Sequence, residues 1–399
     1  MTRRNSCSGC GYDGLFQFLN LGTSPIADAY TSSVDEMSKE YPLDVAVCVK
    51  CRLVQLLEVI DGPTLFGSGY SFYSSASKPL SDYHEKYANS VIQNFDNKDK
   101  KLVLEVGCND GDMLRHFREA KYSTLGVDPA SGPVKNARER GLDVWESEFT
   151  SEIAAQIYTE IGPAGIVIAN HVLAHVEDVS DTLHGITTVL EPDGVAFIEV
   201  QYLPDLLVNN AFDLVYHEHR NFFSLSTLET LVHQHGMHIV NAELTARQGG
   251  SLRVMVRRQG HGAPANNVYT IQDSEWWLNS GLMAYEGLQG RIERIRARLW
   301  DVLTPWLDKD IEIAGYGAPA KATTLLNFCE IDSDVLQYVV DSTPAKQGRF
   351  IPGTGIEIIP EGLQADAYLL TAWNYASEII PRYSRDVRWI IPIPAPMVI

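Results

Sequence analysis

Two Cys-x-x-Cys pairs, Cys7-Ser-Gly-Cys10 and Cys48-Val-Lys-Cys51, constrain the first part of this chain more than any other feature. Two residues between cysteines let both sulfurs converge on one tetrahedral ion while backbone N–H groups bond them. Two such knuckles complete a four-cysteine site, which is closed and therefore structural rather than catalytic. The spacing predicts one Zn2+ held by Cys7, Cys10, Cys48 and Cys51. Four unrelated buried thiols or a redox pair are the competing readings, and the duplicated spacing disfavours both. Cys108 and Cys329 stand alone. Paired cysteines read as metal rather than disulfides in a reducing compartment, and no apolar segment follows the N-terminal arginines as in a signal peptide. A cytoplasmic location is expected.

At 399 residues the chain is too long for one ordinary domain. Its 51 acidic against 32 basic residues leave a net charge of −19, a field that repels polyanions. Nucleic acid is therefore excluded as an expected partner, although a local basic pocket can still hold a small phosphate compound. No apolar run reaches the ~18 residues of a membrane span.

From Lys101 strands and helices alternate. Leu102–Val106 reads as a strand, Gly107–Gly111 as a tight turn and Met113–Ala120 as a helix. Strands follow at Thr124–Asp128, Gly165–Asn170 and Gly194–Val200, the pattern of a doubly wound α/β domain whose ligand sits at the C-terminal strand edge. The turn is Gly-x-x-x-Gly rather than the Gly-x-Gly-x-x-Gly of dinucleotide enzymes, and Glu105 lies two residues ahead of it. A carboxylate there repels a pyrophosphate but attracts a sulfonium and its ammonium group. Asp128, ending the next strand, is placed to accept both ribose hydroxyls. This charge logic favours S-adenosylmethionine over NAD.

Several stretches together resemble the sugar C-methyltransferases that act at C-3′ of keto-deoxysugar nucleotides. They are the two cysteine pairs, Leu104-Glu-Val-Gly-Cys-Asn-Asp-Gly111, Asn170-His-Val-Leu-Ala-His-Val176, Tyr216-His-Glu-His219 and Gly315-Tyr-Gly-Ala-Pro-Ala-Lys-Ala-Thr323, continuing to Ile391-Pro-Ile-Pro394. Gly355 and Glu357 depart from the family's pattern. The resemblance implies a mixed α/β protein in three parts: a zinc module over 1–68, a class I, Rossmann-like methyltransferase domain over 69–270, and a C-terminal Rossmann-like domain over 271–399 that helps hold substrate. Gly107, Asn109, Asp110, Asn170 and His171 join Glu105 and Asp128 in the implied cofactor pocket. The implied substrate is a nucleotide sugar, thymidine-diphosphate (dTDP)-linked, and the implied state is a monomer.

Methyl transfer to carbon needs a carbon nucleophile. A neighbouring ketone acidifies the C–H, a positioned base removes the proton, and donors hold the enolate oxygen. His is neutral and basic near pH 7. The resemblance aligns Tyr216, Glu218 and His219 with catalytic residues, His219 as the base and Glu218 as its rival, and His175 as a donor or proton relay. Tyr70 or Tyr73 lines the pocket by the same resemblance. His217 is read as packing. Ser226–Glu229 reads as a capping box opening a helix stopped by Gly236.

Asp273 to Asp308 reads as one long helical stretch, with Trp276 and Leu282 on its apolar stripe. A strand Ile311–Ala314 then leads into the Gly315–Lys321 loop, which opens a helix but lacks the Walker spacing. Gln337–Asp341 reads as a further strand. Lys321, with Lys346 and Arg349, is expected on the nucleotide diphosphate. The competing functions are an O- or N-methyltransferase of a small metabolite on the same fold, and a non-catalytic zinc adaptor.

Overall fold

The computed structural model describes residues 1–66, 72–95, 101–245, 249–309, 311–362, 365–384 and 386–399. Near the N-terminus, strands β1 (Leu15–Pro25), β2 (Glu40–Cys48) and β3 (Val54–Leu56) form an antiparallel sheet. The two knuckles sit at its end, and each closes on a left-handed residue, Gly11 at φ 69° and Arg52 at φ 66°. Their N–H groups return to Cys7 O at 2.9 Å and Cys48 O at 3.0 Å.

A seven-stranded sheet follows. Its parallel part is β4 (Leu102–Val106), β5 (Thr124–Asp128), β6 (Val144–Glu146), β7 (Ala164–Asn170) and β8 (Leu190–Gln201), with helices between. The short strand β9 (Asn221–Phe222) leaves this region to pair with β3, tying the first sheet to the second. Antiparallel β10 (Met237–Thr245) and β11 (Ser251–Arg258) complete the order β10-β11-β8-β7-β4-β5-β6. β4 is buried along its whole length, as expected of a strand covered by helices on both faces. The chain reverses its winding between β4 and β7, which opens a crevice at their C-terminal ends.

A third sheet repeats the plan. β12 (Ile313–Tyr316), β13 (Tyr338–Val340), β14 (Glu357–Ile359), β15 (Ala367–Leu370) and β16 (Arg388–Ile391) run parallel, and β17 (Met397–Val398) closes it antiparallel. The order β14-β13-β12-β15-β16-β17 puts a second crevice between β12 and β15. Among the described residues no helix is long and apolar enough to cross a membrane.

Four local expectations are corrected. The stretch Asp273–Asp308 is not one helix: Asn266–Ser274 and Trp276–Asn279 end before Gly281 and Gly287, both at positive φ, and Leu288–Leu307 is the long helix. The break frees Glu275, whose buried carboxylate accepts from Leu225 N at 2.7 Å and Ser226 N at 2.8 Å. That carboxylate covers the open donors of the helix Leu225–Gln234, so the cap is Ser224, accepting from Thr227 N, and Ser226 lies inside the first turn. Trp276, read as core, is 69% exposed. The strand after the long helix spans Ile313–Tyr316 rather than Ile311–Ala314.

Candidate active site

The four cysteine sulfurs lie within 4.8 Å of one another, with Cys7–Cys51 at 3.5 Å and Cys10–Cys48 at 3.6 Å. A tetrahedron with Zn–S bonds of ~2.3 Å has edges of about 3.8 Å, so the donor set fits zinc. Gly9 N–H donates to Cys7 Sγ at 3.3 Å, one of the backbone bonds such a knuckle needs. Three of the four cysteines are buried, and a tetrahedral ion would take all four sulfurs and leave no open position for chemistry, the mark of a structural site.

Both sheet crevices open onto one cavity of about 690 Å³. From the β4/β7 side come Glu105, Gly107, Asn109, Asp128, Asn170, His171 and His175; the loop before β9 adds Tyr216, Glu218 and His219. The β12/β15 side contributes Pro319, Lys321, Lys346 and Tyr375, and the N-terminal part Arg4 and Asp28. Two reactants of different chemistry can thus meet between two nucleotide-type folds.

At the β4 end Gly107 has φ 66°, and a Cβ there would stand 2.5 Å from the Val172 side chain. The turn therefore needs glycine. Glu105 is buried with Oε2 lacking any hydrogen-bond partner, and burial, with nearby Asp112, pushes its carboxyl well above the usual range. A buried carboxylate with one unpartnered oxygen at a cavity wall suits a cationic ligand, whose charge would restore the ionised form. Asp128 accepts Asn109 N–H and Ala130 N–H, each at 2.8 Å, which aims the carboxylate and leaves its remaining lone pairs for hydroxyls. Asn109 in turn holds Ser74 N–H at 2.9 Å and Phe72 O at 3.1 Å. These residues fit adenosylmethionine. Asp110 is fully buried, accepts from Ser75 and lies beside Arg140; it braces the turn and does not line the cavity.

His219 donates Nδ1–H to Leu214 O at 2.9 Å, and its Nε2 accepts from Tyr216 Oη at 2.7 Å. Burial, with His175 and His171 adding like charge, pushes its pKa well below the ordinary value, so the imidazole is neutral. His175 donates Nδ1–H to Glu218 O at 2.7 Å, and burial lowers it to about 4. Its ring meets that of His219 edge-on at 5.1 Å. Glu218 has both carboxylate oxygens buried and unpartnered, and burial followed by repulsion from Asp28 raises it to about 8. His217 takes no part in this cluster: it lies against Tyr41, with Nε2 3.3 Å from Pro42 O.

Lys321 lines the cavity but is committed to Asp213, Nζ to Oδ2 at 2.9 Å, with its ammonium 4.1 Å from the Trp373 ring centroid. Lys346 donates to Ala318 O at 2.7 Å and also lines the cavity. Arg349 is exposed and is not brought to it. Tyr73 lies beside Gly132, outside the cavity lining, and Tyr70 falls outside the described residues. Sequence reasoning missed Asp28, in an Ala-rich loop with no spacing signal. It also missed Glu199, whose signal was a lone acid inside the apolar run Val195–Val200.

Family comparisons match three regions in chain order, the third beginning ahead of β11. A zinc binding domain matches residues 7–66, a methyltransferase domain 80–242, and a C-methyltransferase C-terminal domain 246–394. C-methyltransferase NovU from Streptomyces niveus is 34% identical over 99% of this chain and 97% of its own length. A ubiquinone biosynthesis O-methyltransferase from Hydrogenovibrio crunogenus is 25% identical but covers only 37% of this chain and 66% of its own. Among solved structures, magnesium protoporphyrin IX methyltransferase from Synechocystis with bound SAM aligns at a TM-score of 0.35 and 14% identity, over 49% of this chain and 89% of that one. With its end-to-end relative and three family domains in order, the chain belongs to the C-methyltransferase family, as an S-adenosylmethionine-dependent enzyme with a four-cysteine zinc-binding module.

Proposed function

We propose that the protein methylates the carbon beside the ketone of a keto-deoxysugar nucleotide, with His219 as the base. The observation that carries this is a neutral imidazole, fixed by two hydrogen bonds, in the same cavity as Glu105 and Asp128. Adenosylmethionine, when bound beside those two acids, supplies the electrophilic methyl group. His219 Nε2 takes the sugar proton once Tyr216 turns its hydroxyl aside, or through that hydroxyl as a relay. Leu214 O keeps the proton on Nδ1 and so keeps Nε2 as the basic atom. Glu218, carrying its own proton at pH 7, adds no negative charge against the forming enolate. Burial of the whole cluster excludes the water that would quench a carbanion.

The nucleotide end lies toward the β12/β15 crevice. Lys346 is the better-placed cation for a diphosphate, because Lys321 already neutralises Asp213. A thymidine-diphosphate-linked sugar remains the expected substrate. Reaction with methyl-labelled adenosylmethionine and a panel of keto-sugar nucleotides tests the reading by NMR of the product. Label on a ring carbon next to the ketone supports it. Label only on oxygen or nitrogen overturns it.

A further inference from the structure

Both neutral histidines of the cluster present acceptors to the cavity. His175 and His219 each spend Nδ1–H on a backbone carbonyl, at 2.7 Å and 2.9 Å, so neither offers an N–H to an enolate oxygen. Arg220 also lines the cavity, but both terminal nitrogens of its guanidinium are committed, to His175 O at 3.0 Å and to Ile60 O. The reaction nevertheless needs a donor where negative charge develops.

His171 differs from the other two. It follows β7 directly at the crevice, lines the cavity, and its side chain is 23% exposed there. Its Nε2 lies 3.3 Å from Oε1 of Glu199, whose backbone O also accepts His171 N–H at 2.6 Å. Glu199 sits in the apolar strand β8 and is 1% exposed. It is kept as an anion: burial works to raise its pKa, but His171, Arg253 and Tyr83 outweigh this and hold it at about 2. Tyr83 Oη lies 2.7 Å and 2.6 Å from its two oxygens, Arg253 Nε donates at 2.9 Å, and the Arg253 guanidinium stacks 3.6 Å from the Tyr87 ring centroid. A buried anion fixed from two neighbouring elements is a rigid support for the imidazole that donates to it.

We propose that His171, with Glu199 as its positioning residue, is the catalytic donor that delivers a proton to the ketone oxygen as the enolate forms. Nε2–H remains on Glu199, and Nδ1–H faces the oxygen. As His219 removes the carbon-bound proton, the C–H pair becomes the C=C bond and the carbonyl π pair moves to oxygen, which takes the His171 proton. Methylation of carbon re-forms the carbonyl and returns that proton to Nδ1, while the proton on His219 passes to solvent. The proposal rests on the carbon-acid reading above.

The test uses the full chain, a keto-sugar nucleotide and heavy water without adenosylmethionine, following deuterium entry beside the ketone. His171 has φ 56°, where glycine is at ease, so His171→Gly should fold and leave room for a ring. Deuterium entry should fall ~100-fold, in the range of general acid–base catalysis, and added imidazole should restore it at least tenfold. Glu199→Gln should lower kcat at unchanged KM without imidazole rescue. Exchange by His171→Gly within threefold of wild type overturns the proposal, as does a loss that imidazole leaves unrestored. A wild-type protein that exchanges no deuterium overturns the carbon-acid reading itself, and the proposal with it.

Discussion

Replacing Glu218 with glutamine tests the electrostatics of the site without touching its shape. Both oxygens of Glu218 are buried without a hydrogen-bond partner, and burial, then Asp28, raises the carboxyl from 4.5 to about 8, against a smaller opposing pull from Arg220. In the unfolded chain the group releases its proton near 4.5, so between there and about 8 the folded protein holds a proton that the unfolded one has lost. Stability from this group is therefore complete below the unfolded value and drains away as pH rises through the window, by ~1.4 kcal/mol per pH unit. Across the window the loss is on the order of 5 kcal/mol, a large part of a domain's stability. Glutamine does not titrate. Urea unfolding at pH 5.5, 7 and 8.5 should give Glu218→Gln a flatter pH dependence, overtaking the wild type at the alkaline end by several kcal/mol. Parallel curves for the two proteins would refute the assignment of a proton to Glu218 in the fold.

Asp128→Ala should weaken adenosylmethionine binding at least tenfold by calorimetry, since losing a charged hydrogen-bond partner costs ~1.5–3 kcal/mol; an unchanged affinity would place the ribose elsewhere. Lys321→Met leaves Asp213 buried without its cation and should cost ~3–5 kcal/mol, part of which Asp213→Asn in the same chain should recover. Lys346→Ala should raise the KM for the nucleotide sugar while leaving cofactor affinity alone. Freshly purified protein should carry one zinc per chain by elemental analysis, and stripping it should melt the sheet built from β1, β2 and β3; a metal-free, fully folded preparation would contradict the assignment of the four cysteines to zinc.

The cysteine spacing, the β4 turn and the two winding plans were legible because each depends on local chemistry: ligand geometry, a glycine at positive φ, an apolar run of strand length. What escaped depends on partners far along the chain. Ser226 looked like a cap because Glu229 follows three residues on, yet Ser224 caps the helix and Glu275 reaches it from 50 residues away. The long C-terminal helix was overrun at Gly281 and Gly287, where left-handed backbone outweighs the apolar stripe. Lys321 read as a phosphate ligand because a loop and a basic residue precede a helix, and nothing local announced Asp213 behind it. Glu199 was visible as an acid in an apolar strand, but its meaning appears only with Tyr83, Arg253 and His171 around it.

The central claim, that His219 makes a carbon nucleophile by removing a proton, is tested most directly by deuterium exchange in His219→Asn. The wild type should wash deuterium into the position beside the ketone in the absence of adenosylmethionine. The variant should bind both ligands at wild-type affinity yet lose exchange and methyl transfer together, by roughly 10²–10⁴-fold. Exchange at the wild-type rate in His219→Asn would contradict the account and pass the role of base to Glu218.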